Sequence, residues 1–234
     1  MIEKQPTIYK IPTVYKQAGG GGVVPVPDGF KQLLWVSPDC DENSIRYNEA
    51  AYIDIGPHYN NYKWVFDFID LSKIKAWYQN NNIGTSSTYF LVISNGKTRY
   101  LGFRLDSNDI QFQYFAQGYY SGNYITKNDL SIETIIIDKI NAKISGITVP
   151  NGGGAISSGI GQQTYVFGQG TSIPPIKYGS LKIYDVQDNL IEDWRPVERL
   201  GGGDNRYGYY DVINNVFKAS IRSGRYLVGG PEIV

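Results

Sequence analysis

The residues best suited to binding chemistry are the aromatic and amide side chains of the segment YFAQGYYSGNY, at positions 114–124. Aromatic rings pack on the CH-rich faces of sugars, and amides bond to sugar hydroxyls. The same composition serves adaptable protein-binding loops, and it also suits a strand and turn that pack only on their own domain. The segment therefore predicts a carbohydrate contact, a protein contact or a purely structural hairpin. The candidate contact residues are Tyr114, Gln117, Tyr119, Tyr120, Asn123 and Tyr124.

Residues for nucleophilic catalysis are scarce in this sequence. A Ser-His-Asp triad needs a histidine at its centre, and the one histidine, His58, stands in the stretch GPHYNNY. We expect His58 to be a surface residue in a loop. The one cysteine, Cys40, excludes an intramolecular disulfide and is expected to be an ordinary loop thiol. We therefore predict no catalytic residue and a protein that is not an enzyme.

Carboxylate spacing bears on glycoside hydrolysis, which needs two carboxylates across the scissile bond. Glu133 and Asp138 are five positions apart, so they face opposite sides of a regular strand. Asp67 and Asp70, three apart, are expected to do the same. An acid and base brought together from distant strands is the alternative that stays open.

Acidic residues also raise the question of calcium. The segment DCDEN at 39–43 begins like a calcium-binding loop, but Ser44 replaces the turn glycine and Ala50 the bidentate glutamate. This is not an EF-hand, although a looser site here, or at the turn with Asp106 and Asp109, stays open. We predict no metal site and no cofactor.

The charge balance argues against two classes of partner. The chain of 234 residues has 22 Lys and Arg, 22 Asp and Glu, and a net charge of zero. It offers no basic field for nucleic acid or for anionic lipid. The N-terminal sequence MIEKQPTIYK has no apolar core typical of a secretory signal, and no apolar run approaches the ~20 residues of a membrane helix. We expect no nucleic-acid or membrane partner, and synthesis in a cytoplasm with release by lysis or in a particle.

Composition divides the chain after position 29. Residues 1–29 contain four prolines and the run Gly19 to Gly22, which indicates a flexible joint followed by extended chain. Before this joint, the triplet IYK is echoed by VYK, which favours a short segment that docks on another protein. We predict an anchoring segment at 1–29 and one β domain at 30–234. The candidate anchoring residues are Ile8, Tyr9, Val14 and Tyr15.

The rest of the chain has the rhythm of an antiparallel β protein. Strand-like runs recur roughly every ten residues, with Gly, Asn and Ser between them. Asn95-Gly96 predicts a tight hairpin, and residues 72–79 favour one short helix capped by Ser72. Strands do not alternate with helices, which excludes a parallel α/β fold. The predicted strands are 63–71, 88–94, 99–105, 110–115, 132–138, 142–149, 164–167, 180–185, 189–196, 208–212 and 215–219.

The segments LKIYD (181–185), LIEDWRPV (190–197) and YGYYDVINNVF (207–217), with Ser223-Gly224 after them, resemble the closing strands of a known family. These are the concanavalin A-like, LamG-like lectin jelly rolls of bacteriophage structural proteins. YIDIG (52–56), TIIIDK (134–139) and VFG (166–168) resemble upstream strands of the family in the same order. The similarity covers about residues 50–228, and the N-terminal peptide resembles the virion-anchoring peptide of phage fibre proteins.

The resemblance implies an all-β, concanavalin A-like jelly-roll β-sandwich preceded by an extended N-terminal anchoring segment. It implies a virion location, as a head or tail fibre or a decoration protein, with the anchor held by capsid or tail proteins. The sandwich would then attach to host surface glycans, in a homo-oligomer that is most often a trimer. Because such domains also serve as spacers, two alternatives stay open. These are a glycan depolymerase on the same fold and a purely structural virion component that binds no glycan.

Overall fold

The computed structural model describes residues 25–39, 51–59, 62–80, 88–94, 99–106, 109–116, 124–127, 132–137, 141–150, 162–167, 176–220 and 225–233. Within them, one short helix, α1, spans Ile74–Asn80, and one 3-10 turn spans Gly203–Asn205. The strands are β1 Phe30–Gln32, β2 Val36–Pro38, β3 Ile53–His58, β4 Lys63–Asp70, β5 Thr88–Ser94, β6 Arg99–Asp106, β7 Asp109–Ala116, β8 Tyr124–Lys127, β9 Ile132–Ile137, β10 Asn141–Ile144, β11 Ile147–Pro150, β12 Gln162–Val166, β13 Lys177–Tyr178, β14 Leu181–Tyr184, β15 Leu190–Arg199, β16 Tyr207–Asp211, β17 Val216–Ala219 and β18 Leu227–Gly229.

These strands form two antiparallel sheets. The larger sheet has the order β11-β10-β9-β4-β14-β15-β16-β17, with β1 on β15, β13 between β4 and β2, and β18 on β2. The smaller sheet has the order β3-β12-β5-β6-β7-β8. The predicted antiparallel all-β class is therefore confirmed, and the architecture is consistent with a β-sandwich. The short helix is confirmed as well, but it begins at Ile74, and the Trp77 N–H donates to the Lys73 carbonyl, so Lys73 and not Ser72 is at the N-cap.

One apolar core joins the two sheets. Ile53, Ile55 and Val166 of the smaller sheet belong to the same buried cluster as Trp64 and Trp194 of the larger sheet. Fully burying a side chain of this size contributes about 2–3 kcal/mol, so this shared cluster stabilises the packing of the two sheets. The largest side chains with no exposure are Trp64, Trp77, Tyr178, Tyr209, Phe66 and Phe167.

Strand β15 is buried on both faces. Trp194 enters the shared core, as the alternation of the sequence predicts, but Asp193 and Arg195 on the opposite face are also only 6% and 8% exposed. The Arg195 guanidinium donates to Asp193 Oδ2 at 2.8 Å, which compensates part of the cost of burying both charges. Further along this face, Val26 and Phe30 pack against β15, β16 and β17. The chain that leads into the domain therefore covers part of the second face.

The expected single strand at 142–149 is two strands. β10 pairs with β9, but the chain then reverses at Ser145-Gly146 and returns as β11. Both turn residues have positive φ, 45° and 85°, which is the geometry of a tight two-residue hairpin. Ser-Gly is a turn dipeptide, so the sequence contained the signal that was missed.

Candidate functional site

The tyrosine-rich segment lies at one end of a hairpin. It joins β7 to β8, whose register pairs Gln113 with Tyr124 and Phe112 with Ile125. The backbone positions of Tyr114 and Tyr124 are thus brought together at the same end of the smaller sheet. The other four predicted contact residues, Gln117, Tyr119, Tyr120 and Asn123, lie outside the described residues, as do the anchoring residues Ile8, Tyr9, Val14 and Tyr15.

His58 is not the surface residue expected from its sequence context. It is the last residue of β3 and is only 1% exposed. Its Nε2 lies 3.0 Å from Glu192 Oε2, and its Nδ1 lies 3.0 Å from Thr164 Oγ1 and 3.1 Å from the Gly56 carbonyl oxygen. Because a carboxylate only accepts, Nε2 carries the hydrogen and donates it to Glu192.

This buried group bridges the two sheets. His58 and Thr164 lie on β3 and β12 of the smaller sheet, and Glu192 lies on β15 of the larger sheet. The same carboxylate oxygen, Oε2, also accepts from the Trp194 indole N–H, and the His58 and Trp64 rings pack edge to face with their centroids 5.2 Å apart. A hydrogen-bonded centre inside the core therefore adds a directional contact between faces that apolar packing alone would leave free to slide.

The order hydroxyl, imidazole, carboxylate in Thr164, His58 and Glu192 is that of a nucleophile, its base and an orienting acid. Catalysis also requires that substrate reach the hydroxyl within about 3–3.5 Å. Thr164 has no exposed surface, and His58 has almost none. The arrangement therefore holds the sheets together and has no free face for a substrate.

In strand β4, the carboxylates of Asp67 and Asp70 do not lie where regular alternation of side chains would place them. Its register shifts between Phe66 and Ile69, and both of these side chains enter the core. Asp67 follows the first and Asp70 the second, so both carboxylates lie on the opposite face. The expectation that they face opposite sides was wrong, because the irregularity changes the parity of the strand.

A different lysine neutralises each of these carboxylates. Lys182 lies 3.3 Å from Asp67, and Lys177 donates to Asp70 at 2.8 Å. Burial raises the pKa of Asp67, which the Lys182 ammonium only partly offsets. Burial acts in the same direction on Asp70, but hydrogen bonds from Lys177 and Ser72 outweigh it and hold the pKa of Asp70 below its ordinary value. The pair serves as two separate ion pairs between neighbouring strands.

Other predicted polar positions are brought together only in part. Asp106 and Asp109 are register partners where β6 turns into β7, whereas Cys40 and the acidic residues after it lie outside the described residues. Within the part of the chain that the structure describes, no three His, Cys, Asp or Glu side chains are grouped so as to hold a metal ion. The helix described has neither the length nor the apolar character to cross a bilayer.

Comparison of this chain with protein-family models, with curated proteins and with solved structures found no significant match in any of the three.

Proposed function

We propose that this protein is a phage virion component, a head or tail fibre or decoration protein that displays a lectin-like jelly roll for attachment to host glycans. The segments that resemble the closing strands of that family form β14, β15, β16 and β17. These four strands are consecutive neighbours in the larger sheet, and that arrangement is what supports the proposed fold. Segments scattered over unconnected strands would have argued against it.

The proposed anchor is the segment at 1–29, which binds other capsid or tail proteins through Ile8, Tyr9, Val14 and Tyr15. Its last residues are part of the folded domain. Val26 packs in the cluster that covers β15 to β17, and the Gly29 carbonyl accepts from the Leu200 N–H at 2.8 Å. These contacts attach the end of the segment to the domain, so a mechanical force on the anchor would be transmitted to the larger sheet. A trimer is the proposed assembly.

The proposed glycan contact is the tyrosine-rich segment between β7 and β8. The observation that carries it is the position of Tyr114 and Tyr124 at one end of a hairpin whose outer strand, β8, is at the edge of the smaller sheet. A connection at an edge hairpin is suited to presenting rings and amides to a large ligand such as a surface polysaccharide.

A glycan array with matched variants tests the binding role. We expect the native chain to bind at least one bacterial surface glycan, and Tyr119→Ala with Tyr120→Ala to weaken binding about tenfold, as the loss of two aromatic contacts predicts. Tyr59→Ala is the matched control, because this ring is 46% exposed elsewhere on the domain. Equal loss in the control and the double variant would contradict the proposed site. Cleavage of the bound glycan would identify the protein as a depolymerase.

Antibody labelling of purified particles tests the setting. We expect label on the particle surface for the whole chain, and loss of incorporation for a chain that lacks residues 1–24. If the particles carry no label, the virion proposal fails. If the particles carry label but the protein binds no glycan on the array, the protein is a structural component.

A further inference from the structure

The loop between β15 and β16 borders a cleft at the end of the larger sheet. The cleft has a volume of about 520 Å³ and lies between residues 198–207 and residues 226–228. This volume falls in the range of about 300–1,000 Å³ that is usual for small-molecule sites. The cleft belongs neither to the His58 centre nor to the tyrosine-rich hairpin.

The loop is held in one shape before any ligand arrives. The Arg199 N–H donates to the Arg206 carbonyl at 2.6 Å, and the Gly202 N–H donates to the Arg199 carbonyl at 3.1 Å. Gly201 and Gly203 have φ of 75° and 59°, a conformation that costs other residues about 1–2 kcal/mol. A Cβ on Gly202 would lie 2.9 Å from Arg206 Cα, so the loop packs closely on itself. Binding in this cleft therefore needs little ordering of the backbone.

Charged and aromatic groups in the cleft are positioned by one another. The Arg206 guanidinium stacks on the Tyr207 ring, 4.8 Å from its centroid, and lies 4.0 Å from a Glu198 oxygen. On the other side, the Tyr226 hydroxyl hydrogen-bonds to the Asp204 carboxylate, whose negative charge raises the pKa of this tyrosine. Two acceptor groups and one donor group thus border the cleft.

The apolar part of the cleft is exposed. Leu200 and Val228, which line it, are 53% and 36% exposed. The two carboxylates of Glu198 and Asp204 are balanced by the guanidinium groups of Arg206 and of Arg199, which lies beside Gly202, so no excess positive charge favours a phosphate or another anion. A ligand that fits carries hydroxyls for the carboxylates and the guanidinium, and CH groups for the apolar side chains and the Tyr226 ring.

We propose that this cleft is a second binding site, for a neutral saccharide residue. The carboxylates of Asp204 and Glu198 accept hydrogen bonds from sugar hydroxyls, Arg206 donates to a sugar oxygen, and the CH face of the ring packs on Leu200 and Val228. The choice of saccharide among neutral polyhydroxylated ligands rests on the proposed function. The site itself rests on the cleft.

Nuclear magnetic resonance titration of the full chain tests this site directly. The probes are free glucose, galactose, rhamnose and N-acetylglucosamine at millimolar concentrations, with inorganic phosphate for contrast. We expect saturable shifts of the amides of Gly201, Gly203 and Val228 with at least one sugar and none with phosphate. Asp204→Asn should weaken that binding about tenfold, as the loss of a charged acceptor predicts. Asp188→Asn, the same change at an exposed aspartate outside the cleft, should leave it unchanged.

The outcomes separate this proposal from the proposed function. If the Tyr119 and Tyr120 variants abolish glycan attachment and no sugar shifts the loop amides, the cleft proposal is overturned and the proposed function stands. If the loop amides respond to a sugar but the protein is absent from particles, the virion role is overturned and the cleft stands. A response to phosphate that equals the response to sugar, or equal weakening by Asp188→Asn, also overturns the cleft proposal.

Discussion

Replacing His58 by alanine should destabilise the domain more than any surface substitution of similar size. The imidazole is buried, and it contacts Glu192 on one sheet and Thr164 on the other, both at 3.0 Å. Alanine removes both contacts and leaves a void beside the Trp64 ring, which lies 5.2 Å from the imidazole. The two sheets would then be joined at this point by apolar packing alone.

The size of the effect follows from these contacts. Two lost hydrogen bonds contribute about 2 kcal/mol at roughly 1 kcal/mol each. A cavity left by a buried ring adds about 2 kcal/mol or more. The side chain of Glu192 is 19% exposed and keeps its hydrogen bond from Trp194. Water and the indole N–H therefore still satisfy part of the carboxylate, which reduces the cost of losing the His58 hydrogen bond. We therefore expect the free energy of unfolding to fall by about 3 kcal/mol.

Urea unfolding followed by tryptophan fluorescence measures this change, because Trp64 and Trp194 both adjoin the altered site. With a slope near 3 kcal/mol per molar urea, the midpoint should fall by about 1 M. Asp188→Asn is the control, since its exposed ion pair with Lys63 is worth no more than about 0.5 kcal/mol and asparagine tolerates the φ of 64° at this position.

A double-mutant cycle tests whether the two sheets are coupled through this contact. We expect His58→Ala and Glu192→Ala to show an interaction energy of about 1 kcal/mol, because each removes the same hydrogen bond. Additive effects would refute the bridge. A midpoint for His58→Ala no lower than that for Asp188→Asn would refute the estimate of its burial and packing.

Three further outcomes are expected. Asp70→Asn should lower the urea midpoint at pH 7, and the difference should vanish as the pH falls below 3.8 through the lowered pKa of Asp70, because protonation removes the same ion pair in the native chain. Gly208→Ala should cost more than about 2 kcal/mol in the same assay, since its Cβ would lie 2.1 Å from the Lys218 carbonyl oxygen. Gly146→Ala, with open space around its Cβ, should cost about 1 kcal/mol. In an absorbance titration, Tyr178 and Tyr209 should stay protonated until alkaline unfolding, because burial raises the pKa of both well above 10.0, and early ionisation of every tyrosine would contradict this.

Local sequence pattern predicted most of the strands. Alternation in KWVFDFID places Trp64 and Phe66 on one face of β4, and the predicted bounds of β5, 88–94, are the observed ones. The Asn95-Gly96 signal predicted a hairpin between β5 and β6, which are antiparallel partners, but the pairing of Ile93 with Arg99 is one residue away from the register of a two-residue turn at Asn95-Gly96. These features depend on neighbours within a few residues, so a single sequence is enough to read them.

Parity within a strand was harder to predict. The register shift in β4 moved Asp70 to the same face as Asp67, and nothing in the residue types of that strand announces the shift. The buried polar face of β15 was missed for a related reason. Part of this face, at Val197, is covered by Val26 and Phe30, which stand more than 160 positions earlier in the chain.

By itself, the sequence determined the antiparallel β class, the strand rhythm and the strand that precedes the tyrosine-rich segment, because each follows from local residue preferences. The strand that follows this segment, β8, was not predicted. Only the tertiary structure decided the role of His58. Its partners Thr164 and Glu192 are 106 and 134 positions away, and no local pattern reports a contact at that distance. The cleft beside the loop at 200–206 has the same origin, since its second wall, 226–228, is brought there by the pairing of β18 with β2. A polar residue in a turn-like stretch is exposed or buried according to what the rest of the chain packs against it.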